Sequence, residues 1–340
     1  MKPFDKETVL QQYLTPSVQL IKDIYRIDGD ILILGAGGKM GPAMAKLAKE
    51  AINKAGIPKK VIAVSRFSDV EAEQDLNNHG VETIKADLLN QDELDSLPEV
   101  ANVIYLVGHK FGTTGNESYT WAMNSFLPGM VAEKFKSSRI VVFSSGNIYP
   151  LTPVSRGGAT EETPASPVGE YAQSCLGRER IFEHFSKKNN TPMLMYRLNY
   201  ANDVTYGVLL EIAKSVLEEK PVDLTMGNVN VIWQGDANEI AIRSLLHCST
   251  PSTLLNVTGP ETISVRWVAE EFGKIFNKVP TYTGEEASEA LLNNAAKCFK
   301  LFGYPRVSLS RMIGLIGHWL KEGGKTKNKP THFQEREGKF

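Results

Sequence analysis

From Asp30 onward the chain alternates short apolar runs rich in β-branched residues with stretches of helical periodicity. The runs are Asp30 to Leu34, Val61 to Ser65, Val81 to Lys85, Asn102 to Val107, Arg139 to Ser144 and Met193 to Arg197. Several are apolar at consecutive positions, the pattern of strands buried on both faces of a parallel sheet. The segments between them, such as Pro42 to Lys54, Glu117 to Lys136 and Val168 to Lys187, predict crossover helices. An α/β chain with a doubly wound parallel sheet follows, and in such sheets ligands sit beyond the carboxyl ends of the strands.

After residue 200 the alternation loosens into helix Val204 to Glu219, short strands near Val222 and Val229, helix Asp236 to His247, strand Leu254 to Val257 and helix Ser264 to Phe276. This predicts a smaller C-terminal α/β lobe, residues 201–227 and 263–320, on a nucleotide-binding domain of residues 29–200 and 228–262. In the 1–28 extension Thr15-Pro16 starts a helix with Val18, Ile21, Ile24 and Tyr25 at helical spacing, predicting packing on the outside of the sheet. The Lys-, Gly- and Glu-rich stretch 321–340 reads as solvated and mobile.

Composition narrows the function classes. Lys plus Arg (38) nearly balances Asp plus Glu (39), which recommends neither nucleic acid nor an anionic membrane as partner. Only Cys175, Cys248 and Cys298 occur, too few and too scattered for a disulfide framework or zinc cluster, so the cytoplasm is expected and no metal. No run approaches the roughly 20 apolar residues of a membrane span.

The densest chemical signal is DILILGAGGKMGPAM, where a strand breaks into Gly35, Gly37, Gly38 and Gly41 before turning helical. Such a turn lets backbone approach a pyrophosphate, which the helix N-terminus then holds; Lys39 and Met40 belong to the same loop. At the end of the second strand Ser65-Arg66 replaces the carboxylate that would repel a 2′-phosphate, so NADP is preferred to NAD. Asp87 and Leu88 follow the third strand, where a carboxylate would meet an adenine amino group. Val107, Gly108 and Lys110 end the fourth, with Lys110 aiming a cation at the nicotinamide region. Ser144-Ser145 ends the fifth strand and Tyr171 stands 26 residues beyond Ser145. A hydroxyl and a phenol converging on one carbonyl can polarise it and pass a proton.

With these residues in view, the chain resembles an extended short-chain dehydrogenase/reductase of the NAD-dependent epimerase/dehydratase group, the branch that modifies nucleotide sugars. The likeness runs through Gly35, Gly38 and Gly41, Ala86-Asp87-Leu88, Asn124, VVFSSGNIYP (141–150), Tyr171, Arg197 with Asn199, and IWQGDANEIA (232–241). It implies a Rossmann fold, a carbohydrate substrate, a homodimer built on helices Glu117 to Lys136 and Val168 to Lys187, and specific roles. Ser145 would bond the substrate oxygen, Tyr171 would be the acid or base, and Asn124 would sit in the proton path. Ser144, Lys110 and Cys175 would contact cofactor, while Lys110, Asn147, Arg197 and Asn199 would shape the substrate side.

One position departs from the pattern. The family's tyrosine is followed four residues later by lysine, whose cation lowers the phenol pKa; here the residue is Cys175. Three readings stand open: Arg178, with Lys110 as second candidate, supplies the cation; the protein is a cofactor-binding sensor with weak catalysis; or Cys175 reacts itself. Arg243, Arg266 and Arg306 are candidate phosphate clamps, each also readable as a surface ion pair.

Overall fold

A computed structural model describes residues 9, 14–110, 112, 114–327 and 329–339. Seven strands form one all-parallel sheet: β1 (Ile31–Leu34), β2 (Val61–Ser65), β3 (Glu82–Lys85), β4 (Asn102–Tyr105), β5 (Arg139–Ser145), β6 (Met193–Leu198) and β7 (Thr253–Val257), in the order β7-β6-β5-β4-β1-β2-β3. The order reverses beside β1, opening a crevice at the strand ends between β1 and β4.

Both faces of the central strands are covered, which is why β1 is apolar throughout, whereas the edge strand β3 (Glu-Thr-Ile-Lys) is largely polar and partly exposed. Ile31 and Ile33 of β1 join one buried cluster with helices Val18–Arg26, Gly41–Ala55 and Gln234–Arg243. Leu32 and Leu34 face the opposite cluster, with helices Leu127–Lys134 and Gly169–Asn189.

The first helix packs on the sheet's outer layer, but with a different face from that expected. Leu20, Ile24 and Ile27 are buried, while Val18 and Tyr25 are 70% and 68% exposed. Asp23 shares the inner face because its carboxylate accepts from Arg243 Nε at 2.7 Å, a buried charge that obscures the apolar phase in sequence. Arg243 is thus an internal ion pair, whereas Arg266 pairs with Glu286 and Arg306 with Asp236 and Glu239.

A separate core builds the lobe from helices Val208–Leu217, Val265–Phe276 and Leu309–Lys321. It takes in Val229, Val231 and Trp233, so the chain leaves the lobe at helix Gln234–Arg243. The lobe's first helix starts at Val208, four residues after the expected Val204. Before it Asp203 Oδ1 accepts from the Thr205 and Tyr206 backbone N–H groups in an Asx turn, and Asn202 Oδ1 accepts from Leu209 N. The stretch after Lys321 is not solvated throughout: Thr331 and Phe333 are each 4% exposed, and the Arg336 guanidinium donates to the carbonyls of Thr225 and Glu289. Lys329 and Thr331 line cavities at the strand ends, and Phe333 belongs to the lobe core.

Candidate active site

The glycine turn closes the carboxyl end of β1. Gly35 lies at φ +83°, and the N–H groups of Gly35 and Ala36 both donate to Val64 O on β2. A Cβ at Gly41 would strike the backbone of Ala36, and one at Gly37 would stand 2.5 Å from Ser65 Oγ. The helix that follows carries no side-chain cap, leaving its first N–H groups for a ligand.

An outer cavity of about 410 Å³ runs from this turn along the strand ends, lined by Gly35, Gly37, Gly38, Ser65, Arg66, Asp69, Asp87, Leu88, Val107 and Gly108. The predicted cofactor residues at the ends of β1 to β4 therefore meet around one space. Asp69 joins them unanticipated; its carboxylate also caps helix Val70–Asn78 by accepting from Ala72 N. Asp87 accepts from Leu89 N, fixing its carboxylate at the rim.

An inner cavity of about 210 Å³ adjoins it, lined by Lys39, Met40, Lys110, Ser144, Ser145, Asn147, Tyr171, Asn199, Tyr206 and Thr331. Ser145 and Tyr171 both line this cavity, and Ser145 Oγ donates to Asn147 Oδ1 at 3.2 Å. Lys39 and Met40, expected against cofactor phosphates, instead face this second space. Lys39 Nζ donates to Ala201 O at 3.1 Å and lies 3.6 Å from the centre of the Tyr206 ring. Lys110 Nζ is 5.6 Å from the centre of the Tyr171 ring.

Cys175, Arg178, Asn124 and Arg197 stand behind the cavity walls, and Ser144 and Asn199 line the inner cavity with side chains already bonded within the protein. Cys175 is fully buried among Ile148, Tyr149 and Ala159, with Tyr171 packed against the same cluster; it lines neither cavity. The Arg178 guanidinium donates to Phe143 O at 2.8 Å and to Asn124 Oδ1 at 2.6 Å, so it sits beneath the strand ends, out of direct reach of the inner cavity's contents. Asn124, in the π-helical turn Ala122–Phe126, also accepts from His109 N and donates to His109 O and Ser174 Oγ. That fully bonded amide is an internal brace. Arg197 does not shape the substrate side either: Nε and Nη2 donate to the two oxygens of Glu179 at 2.9 and 2.6 Å, and Nη1 donates to Tyr149 Oη. Ser144 Oγ donates to the same Glu179, while Asn199 Nδ2 donates to Asn230 Oδ1.

Electrostatics follow from this burial. Desolvation, together with the adjacent Cys175, pushes the Tyr171 phenol well above its ordinary value, opposed by the Arg178 guanidinium and Ser145. Burial brings Lys39 down to about 7, with Asp203 opposing and Lys327 and Lys110 reinforcing the fall. Lys110 falls to about 8 for the same first reason, opposed by Cys175 and Glu211. Burial also raises the Cys175 thiol, which makes it a poor nucleophile.

Two site residues had little sequence signal. Thr331 stands in a polar stretch, and Tyr206 follows an Asx turn that displaces the expected helix start. Among the described residues no His, Cys, Asp or Glu cluster could hold a metal ion, and no helix is long and apolar enough to cross a membrane.

Similar folds are known. The chain superposes on UDP-glucuronic acid 4-epimerase from Bacillus cereus in complex with NAD with a TM-score of 0.70 at 18% identity, covering 87% of this chain and 100% of that one. For the UDP-glucose 4-epimerase of Thermus thermophilus in complex with NAD the values are 0.70, 17%, 86% and 99%. An epimerase of Methanothermobacter thermautotrophicus matches at 0.72 with 16% identity, over 91% and 97%. No curated protein matches the sequence. The model of the NAD dependent epimerase/dehydratase family matches residues 31–227, from the strand that opens the glycine turn past Ser145 and Tyr171, and the chain belongs to that family.

Proposed function

We propose that this protein is an NAD(P)-dependent oxidoreductase or epimerase that acts on a carbohydrate derivative, a nucleotide sugar or sugar acid, at one carbinol or carbonyl carbon in the inner cavity. The observation that carries this reading is the convergence of Ser145, Tyr171 and Lys110 on a cavity that adjoins the glycine-lined one. The outer cavity suits a dinucleotide, since Gly35, Gly37 and Gly38 line it with backbone alone and a Cβ at Gly37 would crowd Ser65 on its wall. When bound there, the cofactor supplies hydride exchange. Tyr171 then takes or returns the carbinol proton and Ser145 holds the substrate oxygen. Arg178 offsets the phenolate charge from behind and Lys110 does so from within the cavity. The nucleotide sugars named for the similar structures support this substrate class.

NADP is the proposed cofactor, with NAD second, because Arg66 lines the outer cavity beside Ser65. Arg66→Ala should weaken NADP binding about tenfold and leave NAD within twofold; equal losses would remove the preference. The protein is proposed to work in the cytoplasm as a homodimer through helices Glu117–Trp121, Leu127–Lys134 and Gly169–Asn189, where Trp121 and Phe126 are exposed.

The test is hydride transfer, followed by nicotinamide absorbance, across UDP-sugars, GDP-sugars and hexuronates, with Tyr171→Phe reducing turnover at least a hundredfold. No thermal stabilisation by either dinucleotide would overturn the reading. A second reading, a cofactor-binding sensor with weak catalysis, rests on the buried Cys175 thiol and on the upward shift of the Tyr171 phenol.

A further inference from the structure

Lys39 interrupts a glycine turn that otherwise serves the outer cavity, yet its ammonium enters the inner one, which Lys110 also lines. Lys39 is held by neutral partners, the Ala201 carbonyl and the Tyr206 ring face. Its nearest carboxylate influence, Asp203, already accepts from Thr205 and Tyr206 through Oδ1. On the other side Lys110 Nζ lies 3.5 Å from Thr331 O, while the Glu211 carboxylate behind it accepts from Thr331 N and Oγ1 at 2.8 and 2.6 Å. Lys39 and Lys110 thus reach one cavity from different loops, with the Asp203 and Glu211 carboxylates, which do not line it, acting on them electrostatically.

We propose that Lys39 and Lys110 form a two-cation seat for an anionic group, a carboxylate or a phosphoryl, on the small molecule that enters the inner cavity. The proposal rests on the reading that this cavity takes the substrate. Two partly desolvated ammonium groups that repel each other are stabilised by an anion between them, and both charges fall as burial lowers their pKa values. A neutral sugar would leave that repulsion unrelieved. Asn147 lines the same cavity, where its Nδ2 can donate to a hydroxyl while its Oδ1 accepts from Ser145 Oγ. The seat therefore selects a sugar acid or sugar phosphate over the uncharged sugar of the same ring.

The test is thermal shift and calorimetry on the dinucleotide-saturated full chain with D-glucuronate, D-glucose 6-phosphate, inorganic phosphate and D-glucose. At least one anion should bind ten times more tightly than glucose, and which one does so separates carboxylate from phosphoryl. Lys39→Met should remove that preference at least tenfold, Lys39→Arg should keep most of it, and NADP affinity should stay within threefold. Glucose binding as tightly as every anion, no anion binding, or a Lys39→Met loss that falls on the dinucleotide would each overturn the proposal. Failure of both dinucleotides to bind would instead strike the catalytic reading, since anion binding by the apoprotein can be measured separately.

Discussion

Replacing Glu179 by Gln tests whether Arg197 is an internal strut or a substrate contact. In the native protein both carboxylate oxygens accept from the Arg197 guanidinium, one of them also from Ser144 Oγ, and the side chains of Arg197 and Glu179 are only 6% and 4% exposed. Arg197 also donates to Tyr149 Oη, which donates to Asn256 Oδ1 on β7. One carboxylate therefore ties helix Gly169–Asn189, β5, β6 and the Tyr149 loop. Glutamine keeps the size but turns an NH₂ towards a guanidinium donor and leaves a buried cation without a counter-charge. Breaking one partner of such a pair costs about 3–5 kcal/mol. For a chain of this length that lowers Tm by about 1.4 °C per kcal/mol, so by roughly 4–7 °C.

The assay is thermal and urea denaturation of Glu179→Gln, Arg197→Met and the double variant. Because the double variant removes both charges, it should recover at least half of the summed loss. Dinucleotide binding at low temperature should change little in all three. The reasoning is refuted if Glu179→Gln costs under 1 kcal/mol, or if Arg197→Met keeps full stability and raises KM alone, as a substrate contact would.

Two further outcomes follow from the same geometry. Lys110→Met removes an ammonium 5.6 Å from the Tyr171 ring centre, an interaction worth about 3 kcal/mol at an effective dielectric near 20. Carbinol oxidation at neutral pH should fall about a hundredfold. Since Lys110 titrates near 8, its assistance is full below that pH and fades above it; a loss under threefold or an unchanged pH profile counts against this role. Phe333→Ala should cost about 3 kcal/mol and open 325–339 to limited proteolysis, because that ring is buried in the lobe core; unchanged Tm and cleavage would mean the strap is not held there.

The sheet was legible in sequence because parallel strands covered on both faces must be apolar throughout, and the glycine turn because only glycine permits the Gly35 dihedral and the Gly41–Ala36 approach. Ser65, Asp87 and Ser145, at strand ends, and Tyr171, in the first turn of helix Gly169–Asn189, also line the cavities and were readable, unlike Asp69, Tyr206 and Thr331. What sequence could not show was the direction of long side chains. Lys39 and Lys110 reach one cavity from different loops, while Arg178 and Arg197 turn into the protein because Phe143 O, Asn124 and Glu179 await them there. Nor could it show the strap, since Thr331 and Phe333 are isolated in a polar stretch and only tertiary contact with Glu211 and the lobe core buries them.

Cys175 decides between an armed and a disarmed site, and the structure indicates what restoring lysine there would do. The thiol is fully buried against Ile148, Tyr149 and Ala159, with Lys110 and Arg178 both close enough to favour its thiolate. Cys175→Lys adds three heavy atoms to a filled space, which costs about 1–3 kcal/mol, and brings a third cation to Tyr171. If Lys110 and Arg178 already supply the charge, the variant loses stability and gains no turnover, and adding Lys110→Met recovers part of the loss. A thermal double-mutant cycle should then show coupling of at least about 1 kcal/mol between positions 110 and 175. If the site is disarmed, Cys175→Lys alone raises hydride transfer sharply and the coupling vanishes. That result would assign the native protein to cofactor sensing, whereas the first would mean that the cation has moved from the helix to the strand-end loop and catalysis has stayed.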